Sequence, residues 1–179
     1  MIKTYLKIFS FAGGLLFLGM LLSDMTLMPF RDALIGALST GLLFGLTMAA
    51  VLGTVQIVKV RAAAGGERLP GMYATTQYRE IESSLGYDAL FASVTGYLKG
   101  ACGFRITGSD HEGGRIYAQG PLNVWTLSTS VQVRLEKREG APTLVKIVSA
   151  PLLPTLMCDC GADYRVARGL QDHLKGVNF

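Results

Sequence analysis

Residues 5–58 are almost continuously apolar, interrupted only by SDMTLMPFRD at residues 23–32. That much unbroken apolar chain in the first third of 179 residues exceeds what a water-soluble domain of this size hides in its core. The run divides into two segments, 4–22 (TYLKIFSFAGGLLFLGMLL) and 33–58 (ALIGALSTGLLFGLTMAAVLGTVQIV). About 20 helical residues at ~1.5 Å each cross a hydrocarbon layer of ~30 Å. Both segments are therefore read as transmembrane helices, joined by a short connector whose Met28, Pro29 and Phe30 suit a hairpin at the lipid surface.

Charge gives the hairpin a direction. Residues 1–61 carry five Lys/Arg against two Asp, whereas residues 62–179 carry twelve against eleven Asp/Glu. The basic surplus thus flanks the apolar segments, and Lys7 sits where its long stem can snorkel to the interface. A nucleic-acid domain would instead gather that surplus into a stripe on its soluble part, so nucleic acid is not expected as a partner. Lys3 and Lys7 precede the first span, Lys59, Arg61 and Arg68 follow the second, and Arg31 stands alone in the connector. By the positive-inside rule, both termini are cytoplasmic in a cell membrane. Reading residues 1–23 as a cleaved leader puts the new N-terminus outside but still delivers the domain to the cytoplasm, and no A-x-A-like site precedes Ser23.

Within the second span Gly41, Gly45, Ala49 and Gly53 put a small residue at every fourth position. Such a ladder lets another helix backbone approach closely. It serves either the first span, through Gly13, Gly14 and Gly19, or a second subunit. No Asp, Glu, His or Arg lies inside either span, which argues against an ion path.

Residues 61–72 read as a partly flexible linker, broken at Gly65-Gly66 and Pro70-Gly71, and residues 73–179 as one small domain. A β-like stretch at 74–84 precedes helical spacing in YDALFASVTGYLKG, with Tyr87, Leu90, Phe91, Val94 and Leu98 on one face. Two hairpins follow. The first pairs Phe104 and Ile106 with Ile116 and Ala118. In the second, Val131, Val133 and Leu135 alternate with Gln132, Arg134 and Glu136 and face residues 144–148. Val166, Leu170 and Leu174 mark a final helix over 163–174. The fold class is α+β, of order β-α-β-β-β-β-α, with both helices expected on one face of an antiparallel sheet. The order resembles that of small lipid-binding helix-grip domains, a likeness of element order that lends no residue and no function.

Chemistry-bearing residues are few. Cys158 and Cys160 are the metal or redox candidates, but zinc sites favour C-x2-4-C and redox motifs C-x-x-C. The alternative makes them a structural joint before the last helix, with Asp159 or Asp163 as its cap. His111 lies in a solvated turn, and His173 reads as a surface residue near the end of the last helix. Neither GGER nor EGGR has phosphate-loop spacing. Trp125, with Leu122 nearby, and Leu152 and Leu153 form a possible partner or lipid surface, or else cap the core. The expected protein is a membrane-anchored, non-enzymatic accessory or scaffold without cofactors. It would meet the lipid bilayer and a membrane-protein partner or a second copy. The alternatives are a tethered lipid or apolar-ligand binding module, with a pocket between sheet and helices, and a cysteine-based metal or redox sensor.

Overall fold

The computed structural model describes residues 1–67, 69–122, 128–138, 140–153 and 158–177. It opens with two helices, α1 (Ile2–Asp24) and α2 (Phe30–Ala64), each long and apolar enough to cross a membrane. They run antiparallel, with Tyr5 Oη 3.2 Å from Thr54 Oγ1 near one end and Gly13 against Gly41 in the middle. The small residues are needed at this seam. A Cβ on Gly41 would lie 2.8 Å from Phe17 Cβ, one on Gly45 would lie 3.0 Å from a Phe9 ring carbon, and one on Gly53 would strike the Tyr5 ring at 2.5 Å. Ala33, Ala37 and Ala49 continue the same buried stripe. The ladder thus packs against α1 of its own chain.

α2 continues six residues past the expected span and stops at Gly65, whose left-handed φ of 57° closes the helix without a Cβ penalty.

The remaining elements are β1 (Gln77–Ser83), α3 (Tyr87–Gly100), β2 (Arg105–Asp110), β3 (Arg115–Gln119), β4 (Thr129–Arg138), β5 (Ala141–Pro151) and α4 (Ala162–Val177). The five strands form one antiparallel sheet of order β1-β5-β4-β3-β2, so the first strand pairs with the last and β5 lies between β1 and β4. Along β4, Val131, Val133 and Leu135 are buried while Gln132 and Arg134 are exposed. That period of two turns one face of the sheet toward the helices. Leu90, Val94 and Leu98 of α3 and Leu170 and Leu174 of α4 close over Ile116, Val133, Val145 and Ile147 in a single core. Both helices therefore cover the same face, and the fold is α+β.

Boundaries differ modestly from expectation. β1 begins at Gln77, and β5 reaches Pro151, which pairs with Thr129 as the ladder's last residue. Proline has no N–H to donate, so it fits the end of an interior strand and not its middle. Trp125 and residues 154–157 lie outside the described residues.

Candidate functional site

The polar chemistry of the chain gathers where β5 hands over to α4, and it gathers against α2. Asp159, 1% exposed, is the hub. Its Oδ1 accepts from the Gln56 amide at 2.6 Å and from Gly161 N–H at 3.1 Å, and its Oδ2 accepts from Asp163 N–H at 2.9 Å. The carboxylate thus caps the first turn of α4, where free N–H groups and the helix dipole favour an anion. It also grips a side chain of the long helix α2. The Cys158 thiol donates to Gln56 Oε1 at 3.3 Å, so both ends of that fully buried carboxamide are satisfied from one turn.

The turn is built to come close. Cys160 holds φ 52°, a left-handed conformation uncommon outside glycine, and Gly161 follows at φ 72°. A Cβ on Gly161 would meet Val60 Cγ2 at 3.1 Å, so glycine permits the backbone of the turn to lie on α2. Cys158 and Cys160 bring their sulfurs to 3.7 Å, both buried and neither in a disulfide. Burial pushes the Cys158 thiol up to about 12, so it stays protonated at neutral pH. Among the described residues no group of three His, Cys, Asp or Glu side chains is placed to hold a metal.

One carboxyl has a different state. Asp163 is fully buried; its Oδ1 accepts from Ser149 Oγ at 2.7 Å, and its Oδ2 has no partner among the described residues. Desolvation pushes its pKa up to about 8, and the Asp159 charge adds to the rise. Two buried carboxyls one turn apart do not both ionise readily, and the raised pKa keeps Asp163 protonated at neutral pH.

A second clamp lies two turns beyond Gln56 on α2. The Arg168 guanidinium donates to the carbonyls of Ala63 (2.9 Å) and Ala64, and it faces Glu67 at 3.7 Å. It supplies partners for the carbonyls that a helix C-terminus leaves unsatisfied. Tyr164 packs with Val60, Ala64 and Met72, and Arg61 donates to Tyr73 Oη at 3.1 Å. Within the expected linker, Ala64 and Met72, at 1% and 4% exposure, are packed against Val60 and Tyr164, while Gly65, Gly66 and Glu67 are exposed.

The remaining candidates are dispersed. Leu122, Leu152 and Leu153 are exposed, and backbone bonds through Ser128 and Thr129 hold Gly120 and Leu152 at the same end of the sheet as the joint. Leu152 borders an open cleft of about 410 Å³ on the strands, with Tyr117, Gln119, Ser130, Gln132 and Ala150, and a smaller one of about 180 Å³ lies between Phe104, Gly120, Pro121, Thr129 and Val166. His111 sits at an exposed turn, 3.1 Å from Asp88 and edge-on to Tyr87 and Phe91. His173 is not a free surface residue. It stacks on Tyr97 with ring centroids 4.5 Å apart and lies 3.0 Å from Ser93 Oγ, in the seam between α3 and α4.

Gln56 and Arg168 escaped the sequence reading. Gln56 had a visible signal, as the lone carboxamide in a span without charge; Arg168 had none, because its partners are backbone carbonyls more than a hundred residues away. Compared with protein-family models, curated proteins and solved structures, the chain matches none.

Proposed function

We propose that this chain is a two-span protein of the cell membrane whose hairpin holds a non-catalytic α+β domain rigidly against the cytoplasmic surface, as an accessory or scaffold module. The observation that carries the proposal is the joint. Gln56, Cys158 and Asp159 spend their buried polar groups on one another and on the first turn of α4, so they serve attachment. A domain fixed to a helix end by Gln56, Asp159 and Arg168 presents a defined face to whatever lies beside it, which a swinging domain does not.

Membrane insertion is supported by what surrounds the hairpin. Leu6, Leu15, Leu22, Leu43, Leu46 and Val58 are each more than half exposed around its circumference. An apolar collar of that extent is unstable in water and at home in lipid. Leu122, Leu152 and Leu153, at the joint end of the sheet, would then dip toward the headgroups. They favour lipid contact as the domain's second role, at its edge. Between sheet and helices the space is filled by Leu90, Val94, Leu98, Leu170 and Leu174, where a ligand pocket would need several hundred Å³.

Native mass spectrometry of the full chain released from its own membrane patches tests the reading. A stoichiometric protein partner or a defined oligomer supports the scaffold. A bare chain retaining one lipid class and losing it on Leu122→Ser/Leu152→Ser replaces it with a lipid-binding role.

A further inference from the structure

We infer that the cavity between the first two turns of α1 and residues 71–76 is a binding site for the phosphate group of an anionic membrane lipid. The inference rests on the membrane reading above. The cavity measures about 520 Å³ and is lined by Lys3, Thr4, Lys7, Tyr73, Thr75 and Thr76, with Met1, Gly71 and Ala74 completing the wall. Lys3 and Lys7, four residues apart on one helix face, thus border it, four hydroxyl-bearing side chains join them, and among the described residues no carboxylate lines it. Arg61 stands behind the wall, donating to Tyr73 Oη and reaching Met1 Sδ at 3.4 Å. Cations and hydroxyls without an acid form a set of donors that matches phosphate oxygens.

Depth selects the lipid over other phosphates. α2 starts at Phe30, and Tyr5 of α1 is level with Thr54 of α2. Those 24 residues rise about 36 Å, just past a hydrocarbon layer of ~30 Å. Lys3 and Lys7 therefore flank the level at which cytoplasmic headgroups lie. A phosphate alone fills a small part of the cavity, whereas a phosphoglycerol headgroup fills much more of it and continues into acyl chains beside α1. A zwitterionic headgroup would bring its own cation to the lysines and lose the advantage. Basic pockets at this level between or beside spanning helices are suited to anionic headgroups.

The test uses the full chain reconstituted in phosphatidylcholine vesicles containing a minority of phosphatidylglycerol, then released for native mass spectrometry. The expected result is one phosphatidylglycerol retained per chain, with Lys3→Gln/Lys7→Gln lowering its preference over phosphatidylcholine by roughly thirtyfold. Lys59→Gln, which removes a charge at the same end of the hairpin outside the cavity, should leave the preference unchanged. Added inorganic phosphate should not displace the lipid. Equal loss in the Lys59 variant, or equal retention of both lipids by the wild type, overturns the site. Displacement by inorganic phosphate reassigns it to a soluble phosphate and overturns the lipid assignment. If the chain fails to float with the vesicles in a density gradient, the membrane reading itself has failed; floating without lipid preference removes only the site.

Discussion

At the scale of the residue, the joint depends on a few side chains whose replacement has distinct signatures. Gln56→Leu keeps the volume near that of the native side chain but leaves Asp159 Oδ1 and the Cys158 thiol without their partner on α2. Losing a hydrogen bond to a buried carboxylate costs about 1.5–3 kcal/mol. We expect faster amide hydrogen exchange in residues 158–164, with the β4 amides unchanged. Asp163 gives a pH signature. Its pKa is raised from the ordinary carboxyl range to about 8 in the folded chain, so the folded state holds a proton that the unfolded state releases. Stability from this group is complete below pH ~4 and declines as pH rises toward about 8, flattening above it. Asp163→Asn retains the polar contact to Ser149 without titrating. Its thermal midpoint, followed by circular dichroism in detergent, should fall less between pH 5 and 8 than that of the wild type. A parallel fall in both would show that Asp163 is already ionised in the folded protein. Of this chemistry the sequence carried only the cap. Asp159 ahead of an apolar-periodic helix was readable, because caps are local. Its bond to Gln56, 103 residues away, has no periodic trace.

At the scale of the element, two seams make opposite demands. The α1–α2 seam is steric. Gly45→Leu would drive a side chain into Phe9 and the Gly13 backbone, which a Cβ alone already approaches within 3.0–3.1 Å. The expected outcome is a hairpin that separates and runs differently in mild detergent electrophoresis, while the α+β domain melts as before. An unchanged hairpin would mean that the helices slide to accommodate the leucine. The α2–α4 seam is polar. Arg168→Ala uncovers the carbonyls of Ala63 and Ala64 and should raise protease cleavage near Gly65-Gly66 several-fold, whereas Arg168→Lys restores only part of the protection, having lost the planar fork. The small-residue ladder and the alternation of Val131, Val133 and Leu135 were legible because each repeats at its element's own period. The choice of partner for the ladder was not: small residues admit any close backbone, and only the facing Phe9, Gly13 and Phe17 identify it as α1.

At the scale of the whole molecule, the proposal makes one geometrical commitment. The hairpin tip and the domain lie on opposite sides of a bilayer, and α2 passes without a break from one to the other. α2 is 35 residues long, about 52 Å at ~1.5 Å per residue, which exceeds the hydrocarbon layer by roughly 20 Å. The excess falls at its C-terminal end, since Phe30 begins the helix beside the tip while Gln56, Val60 and Ala64 are buried against the domain. The domain must then ride at headgroup height, with residues 158–160 beside the lipid surface. Single cysteines placed at Leu27, 80% exposed at the tip, and at exposed Lys175 in the last turn of α4 report both ends of the chain. Replacing Cys102, Cys158 and Cys160 by serine or alanine first removes background labelling. In intact cells a membrane-impermeant maleimide should label Leu27→Cys and reach Lys175→Cys only after permeabilisation. The reverse pattern inverts the topology and moves the cavity beside Lys3 and Lys7 to the outer leaflet. Labelling of both without permeabilisation shows that the chain does not cross the membrane, and the apolar collar must then be covered by protein instead of lipid.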